Sequence, residues 1–264
     1  MNPMPGHRLL WAFDFDGTLS SIVPDRTAAR LHRECGRMLR FLARSPWNRV
    51  AVLSSRMLDD VVSRVPVPGV FIGGASGLEW QFPDGRRTGP GPGAASEGML
   101  VKKRSAIFPI LEEMASIPGV EIEDKRWSVA VHYRNASPGS FRKKMSLLQR
   151  LRERTGIKVH QGPEVVEVQL VRGGGKSSGL RRLCHLVGWD PAGARVVYAG
   201  DDESDVVAIR WALSKGGAGI VVGNRITIPW ARRVEGPAGL ARLVRELADA
   251  APARDTVNAR EGSA

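Results

Sequence analysis

Leu9-Leu10-Trp11-Ala12-Phe13-Asp14-Phe15-Asp16-Gly17-Thr18 is the stretch on which the reading of this chain turns. An uninterrupted apolar run from Leu9 to Phe13 predicts a buried strand, and two carboxylates flanking one phenylalanine follow at once. In an extended segment, residues two apart face the same side, so Asp14 and Asp16 point together while Phe15 points away. Carboxylates that close repel, and a bound cation or a proton held on one of them relieves the repulsion. In open α/β sheets ligands bind beyond the carboxyl ends of strands, which is where both aspartates fall.

Working outward, short apolar strands alternate with amphipathic helices. A helix is predicted through Leu31, Cys35, Met38, Leu39 and Leu42, then strands at Arg49-Val50-Ala51-Val52-Leu53 and Val70-Phe71-Ile72. Late in the chain Leu180, Leu183 and Val187 mark a helix. Val196-Val197-Tyr198-Ala199 and Gly219-Ile220-Val221-Val222 mark strands, and Leu240, Leu243, Val244 and Leu247 a last helix. The alternation predicts an α/β fold around a parallel sheet.

The middle departs from this rhythm. Gly89-Pro90-Gly91-Pro92-Gly93-Ala94-Ala95-Ser96 has the composition of a linker. A helix follows (Ile107, Ile110, Leu111, Met114), then strands near 120–124 and 127–133. A second helix (Phe141, Met145, Leu148) and strands near 157–161 and 164–170 complete an αββαββ order. Arg172-Gly173-Gly174-Gly175 closes the stretch. The expected organisation is a core of residues 1–89 and 172–264 interrupted by an α+β insert over 90–171, with a polar tail at 250–264 that frays.

Composition excludes several classes. The 264 residues carry 39 Lys and Arg against 27 Asp and Glu, a net charge of +12. No apolar run approaches the ~20 residues that cross a bilayer. The opening segment lacks a secretory pattern, and two cysteines, Cys35 and Cys184, are too few for a disulfide framework. Both fall in amphipathic helical patterns and are expected as buried thiols of a cytoplasmic protein. The basic residues are scattered, without a stripe interleaved by aromatics. Neither nucleic acid nor membrane is therefore expected as a partner, and the chain is expected to act as a monomer.

A second acidic cluster, Gly200-Asp201-Asp202-Glu203-Ser204-Asp205, also follows an apolar strand. Alone it suits either the start of a helix, where acidic residues favour the dipole, or a magnesium site, which needs one or two carboxylates plus water and phosphate. Together with Asp14 and Asp16 it favours the metal. Ser54, after a strand, offers a hydroxyl or a helix cap. Lys176, at a helix start, offers positive charge to a phosphate or simply to solvent. Gly175-Lys176-Ser177 imitates the end of a phosphate-binding P-loop, but that pattern needs glycine at 170, where Leu170 stands.

Asp14-Phe15-Asp16-Gly17-Thr18, Ser54, Lys176 and Gly200-Asp201-Asp202 with Asp205 stand in the order of the motifs of the haloacid dehalogenase (HAD) superfamily. Within it the chain resembles the trehalose-6-phosphate phosphatases. The likeness covers roughly residues 9–225 and includes Gly77-Leu78-Glu79, Glu123-Asp124-Lys125, Val129-Ala130-Val131-His132-Tyr133-Arg134 and Val166-Glu167-Val168.

The resemblance implies a Rossmann-like core with residues 90–171 as a cap over the site, and a magnesium-dependent phosphatase acting on a sugar phosphate. Asp14 is implied as the nucleophile and Asp16 as the general acid and base. The Asp14 side chain, the Asp16 carbonyl oxygen and Asp201 are implied as magnesium ligands, with Asp202 and Asp205 orienting from behind. Lys176, Ser54 and Thr18 are implied to hold the phosphoryl oxygens. Glu123, Lys125, His132, Arg134 and Glu167 are implied to hold the sugar, although they also suit cross-strand charge pairs on a small sheet. Phosphatases of other glycosyl phosphates, such as sucrose or glucosylglycerate esters, share the core motifs. A nucleotide enzyme or a non-catalytic binding protein fits the residues less well. The chain departs from the family pattern at Ser76, where His or Asn is usual, and at Ser55, Leu170, Ser177 and Val206.

Overall fold

The computed structural model describes residues 9–89, 97–137, 141–154, 156–161, 164–171, 174–190 and 195–249. Most of the expected linker, the first residues of the Arg172–Gly175 boundary and the tail at 250–264 lie outside them. The described residues divide into two compact units. The first falls within Met1–Val52, Arg64–Phe71 and Cys184–Ala264, the second within Leu53–Ser63 and Ile72–Leu183.

In the first unit, β1 (Leu9–Phe13), β2 (Asn48–Leu53), β10 (Arg195–Gly200), β11 (Ala218–Val222) and β12 (Arg232–Val234) lie in the order β12-β11-β10-β1-β2, every neighbouring pair parallel. The register sets Phe13 beside Ala199 and Val52, so the chain leaves β1 and β10 at the same level of the sheet. Leu10, Trp11, Ala12, Phe13, Val50, Val52, Tyr198 and Val221 are all buried. Strands of a parallel sheet are covered on both faces, which is why they read as continuous apolar runs. Helix α1 (Arg33–Ala43) packs on α7 (Pro237–Asp249), and α6 (Glu203–Ser214) on β10 and β11. α1 buries Cys35, Met38, Leu39 and Leu42 at helical spacing.

In the second unit the end of β3 (Val70–Gly74) pairs antiparallel with β4 (Glu79–Gln81), and β4 with β5 (Arg87–Thr88), beside α2 (Leu58–Arg64) in sequence. The unit also holds a four-stranded antiparallel sheet. Its strands β6 (Glu121–Asp124), β7 (Ser128–His132), β8 (Lys158–Gln161) and β9 (Val165–Gln169) are ordered β6-β7-β9-β8. One face, with Val129, Val131, Val166 and Val168, packs with Ile107, Ile110, Leu111 and Met114 of α3 (Glu97–Ala115) and Leu147, Leu148 and Leu151 of α4 (Phe141–Arg152). Period-two alternation sends the intervening residues to the opposite face. The αββαββ order is thus present, with each strand within two residues of its expected bounds.

Leu170 is fully buried in this core, and its amide donates to the Trp127 carbonyl over 2.9 Å. The chain before α5 (Lys176–Leu186) therefore carries a packed aliphatic side chain where a P-loop needs an open glycine turn.

Candidate active site

β1 ends into Asp14, whose amide donates to the Ala199 carbonyl of β10 over 2.9 Å, tying the two strand ends together. The chain then turns tightly: the Phe15 carbonyl accepts from the amides of Thr18, Leu19 and Ser20 and from Ser20 Oγ. Gly17 makes the turn possible. Its φ is +80°, and a Cβ there would stand 2.2 Å from Asp201 Oδ2. Only a residue without a side chain lets the backbone come this near a carboxylate.

Within that contact the carboxylates of Asp14, Asp201 and Asp205 gather, with an oxygen of each inside 4.8 Å of the others and all three buried. Like charges this close and this dry are costly without a compensating cation. An all-oxygen donor set suits a hard divalent ion. The chain's own features fit such an ion: converging carboxylates, a glycine cradle against one of them, and the buried Thr18 hydroxyl, which lacks a hydrogen-bond partner. Asp16 is half-buried and its carboxylate is outside this group of three, leaving it nearer to solvent than Asp14.

The second acidic cluster starts a helix and brings Asp201 and Asp205 into the carboxylate group. Asp202 caps α6, its Oδ1 accepting from the Ser204 amide at 2.9 Å and from Ser204 Oγ at 2.6 Å. Asp205 reaches back, Oδ2 accepting from the amides of Asp201 and Asp202, both at 3.3 Å, while Oδ1 accepts from Tyr198 Oη at 2.8 Å. Gly200 permits the return, because a Cβ there would lie 2.2 Å from Asp205 Cγ. The helix cap thus holds the backbone amide of Asp201.

Tyr198 was not singled out by the sequence reading. Burial, then the charges of Asp205 and Asp14, push its phenol well above the usual value of 10.0, so it remains a neutral donor. A tyrosine one residue from the Ala199-Gly200-Asp201 strand end was the available signal. Arg225 was also missed. It lies beyond the end of β11, with Nη1 3.5 Å from Asp201 Oδ2.

Ser54 and Lys176 belong to the second unit. Ser54 is buried, its Oγ accepts from the Arg56 amide at 3.1 Å, and its amide donates to the Gly73 carbonyl at 2.9 Å. Lys176 opens α5 and is buried. The helix approaches the Ala75–Gly77 turn so closely that a Cβ on Gly77 would sit 2.3 Å from Gly179 Cα. Ser76 adopts φ 57° and ψ 33°, a left-handed conformation that asparagine and histidine take more readily than serine, which accounts for the usual His or Asn and leaves the serine of this chain without a structural explanation.

Glu123, Lys125, His132 and Glu167 form one network on the small sheet. Ala130 stands opposite both Glu123 and Glu167, and His132 follows two residues along the same face. Buried Lys125 donates to Glu167 Oε2 at 3.0 Å and lies 3.9 Å from Glu123, whose Oε2 pairs with His132 Nε2 at 2.9 Å. Ser128 Oγ also donates to Glu167. Arg134 Nε donates to Glu164.

Comparison with known proteins supplies the family. A family model described as trehalose-phosphatase matches residues 12–225. The chain is 37% identical over 195 residues to the trehalose-phosphate phosphatase of Mycobacterium avium, covering 73% of this chain and 48% of that protein. It is 36% identical over 255 residues to that of Mycobacterium tuberculosis H37Rv, covering 92% of this chain and 63% of that protein. It therefore spans less than two thirds of the length of these curated relatives. The fold is similar to the C-terminal domain of Candida albicans trehalose-6-phosphate phosphatase, with a TM-score of 0.75, 20% identity and 92% of each chain covered. The motifs at Asp14–Thr18 and Gly200–Asp205, the matched span and the mycobacterial relatives agree: the chain belongs to the trehalose-phosphatase family.

Proposed function

We propose that this chain is a magnesium-dependent phosphatase that hydrolyses trehalose 6-phosphate to trehalose and phosphate through a phosphoryl group carried on Asp14. The observation that carries the reading is the convergence of Asp14 with Asp201 and Asp205 at the carboxyl ends of β1 and β10. The Asp14 side chain, the Asp16 carbonyl oxygen and Asp201 would hold the ion, with Asp202 and Asp205 fixing the backbone behind it. When bound, magnesium supplies positive charge that lets an anionic carboxylate approach an anionic phosphate.

An Asp14 oxygen attacks phosphorus, the bond from phosphorus to the sugar oxygen breaks, and Asp16 delivers its proton to that oxygen. Asp16, now a carboxylate, takes a proton from the water that attacks phosphorus next. The bond from phosphorus to Asp14 breaks, and phosphate leaves. Half-burial suits Asp16 to this exchange, since it must meet both substrate and water. Thr18, Ser54 and Lys176 are assigned to the phosphoryl oxygens, where positioning and charge do most of the work.

Residues 90–171 are read as a lid on a core of 1–89 and 172–264. Glu123, Lys125, His132, Arg134 and Glu167 are assigned to the sugar hydroxyls, and part-exposed, mutually paired charges around buried Lys125 suit a polyhydroxylated ligand. The protein is read as a cytoplasmic monomer. Among the described residues no helix is long and apolar enough to cross a membrane.

The test is phosphate release from a panel of sugar phosphates, with and without magnesium. Trehalose 6-phosphate is expected to turn over fastest, and only with the metal. Equal rates across the panel would remove the trehalose assignment, and no release from any ester would remove the phosphatase reading.

A further inference from the structure

Arg225 takes no part in the roles assigned above, yet its guanidinium stands 3.5 Å from Asp201 Oδ2, 56% exposed beside a carboxylate that is 5% exposed. It is not borne on a loose loop. Arg233 of β12 donates to the Gly223 carbonyl, to the Ile226 carbonyl at 2.8 Å and to Thr227 Oγ1 at 3.0 Å, and so braces both sides of Arg225. Ile226, next in sequence, is buried. The backbone that carries the guanidinium is thereby anchored just past the end of β11, the parallel neighbour of β10. Gly17 lies near the same Oδ2, since a Cβ there would stand 2.2 Å from it.

Three buried carboxylates within 4.8 Å of one another raise each other's energy, and a nearby positive charge lowers it. That same charge repels a second cation seeking the same oxygen. We propose that Arg225 is the resident counter-ion of Asp201 in the metal-free protein and competes with the incoming divalent cation for it, so that this arginine sets the metal affinity. The inference rests on the metal-dependent reading above and makes Arg225 a positioning residue that acts through Asp201.

Calorimetric magnesium titrations of wild type, Arg225→Ala, Arg225→Gln and Arg225→Lys test it, alongside melting temperatures with and without magnesium. Losing the charge is expected to tighten magnesium binding about two- to tenfold in the Ala and Gln variants, with Lys close to wild type. Metal-free Ala and Gln variants should melt below wild type, and the gap should narrow at saturating magnesium. A merely structural role would lower the melting temperature equally with and without metal and would not tighten binding; that outcome overturns the proposal. If wild type binds no magnesium, both this inference and the metal-dependent reading fall. If wild type binds magnesium and releases phosphate while the variants bind it no tighter, the Arg225 inference alone falls.

Discussion

Gly17 carries two constraints at once: a left-handed φ of +80° and a distance at which a Cβ would stand 2.2 Å from the Asp201 carboxylate. Gly17→Ala should therefore push Asp201 out of place at a backbone cost of about 1–3 kcal/mol. A folded but nearly inactive protein with weakened magnesium binding is expected, and activity with calorimetry checks it. Tyr198 offers a second test. Tyr198→Phe removes the donor to Asp205 Oδ1 and should cost about 1–3 kcal/mol, because a buried acceptor loses its partner. The phenol's folded-state pKa is raised, so its contribution to stability is complete below the unfolded value of 10.0 and is lost as pH rises through the folded value. Wild-type stability should consequently fall more steeply above pH 10.0 than that of Tyr198→Phe, as measured by denaturant unfolding across alkaline pH.

At the scale of elements, legibility followed length and burial. The apolar run Leu9–Phe13 coincides with β1 because a strand covered on both faces admits little but apolar residues. β4, β5 and β12 escaped notice because they are two or three residues long and β5 and β12 are rich in arginine, with no period to detect. The motif aspartates were legible because each follows such a run. Tyr198 and Arg225 were not, because their meaning lies in neighbours distant in sequence or across a helix cap. The small antiparallel sheet carries its own prediction. Its apolar face is spent on α3 and α4, while Glu123, Lys125, His132 and Glu167 share the other network. Glu167→Ala should reduce turnover of the sugar phosphate far more than that of a small aryl phosphate. Equal losses on both would take Glu167 out of sugar recognition and leave it a partner for Lys125.

At the scale of the molecule, the two thiols are sealed in the fold. Burial pushes Cys35 up to about 12 and Cys184 to about 11, so neither forms thiolate near neutral pH. Native protein should resist a thiol reagent at pH 8 and react at both sites once unfolded, a count that mass spectrometry reads directly. The net charge of +12 takes on one local meaning in Arg225 beside the acidic cluster, while the remainder is spread widely.

The account stands on Asp14 as the group that bonds to phosphorus, and Asp14→Asn tests this most directly. The substitution keeps size and shape while removing the nucleophile. With magnesium and trehalose 6-phosphate supplied, the folded variant is predicted to release no phosphate above background; release at a rate near wild type would contradict the account.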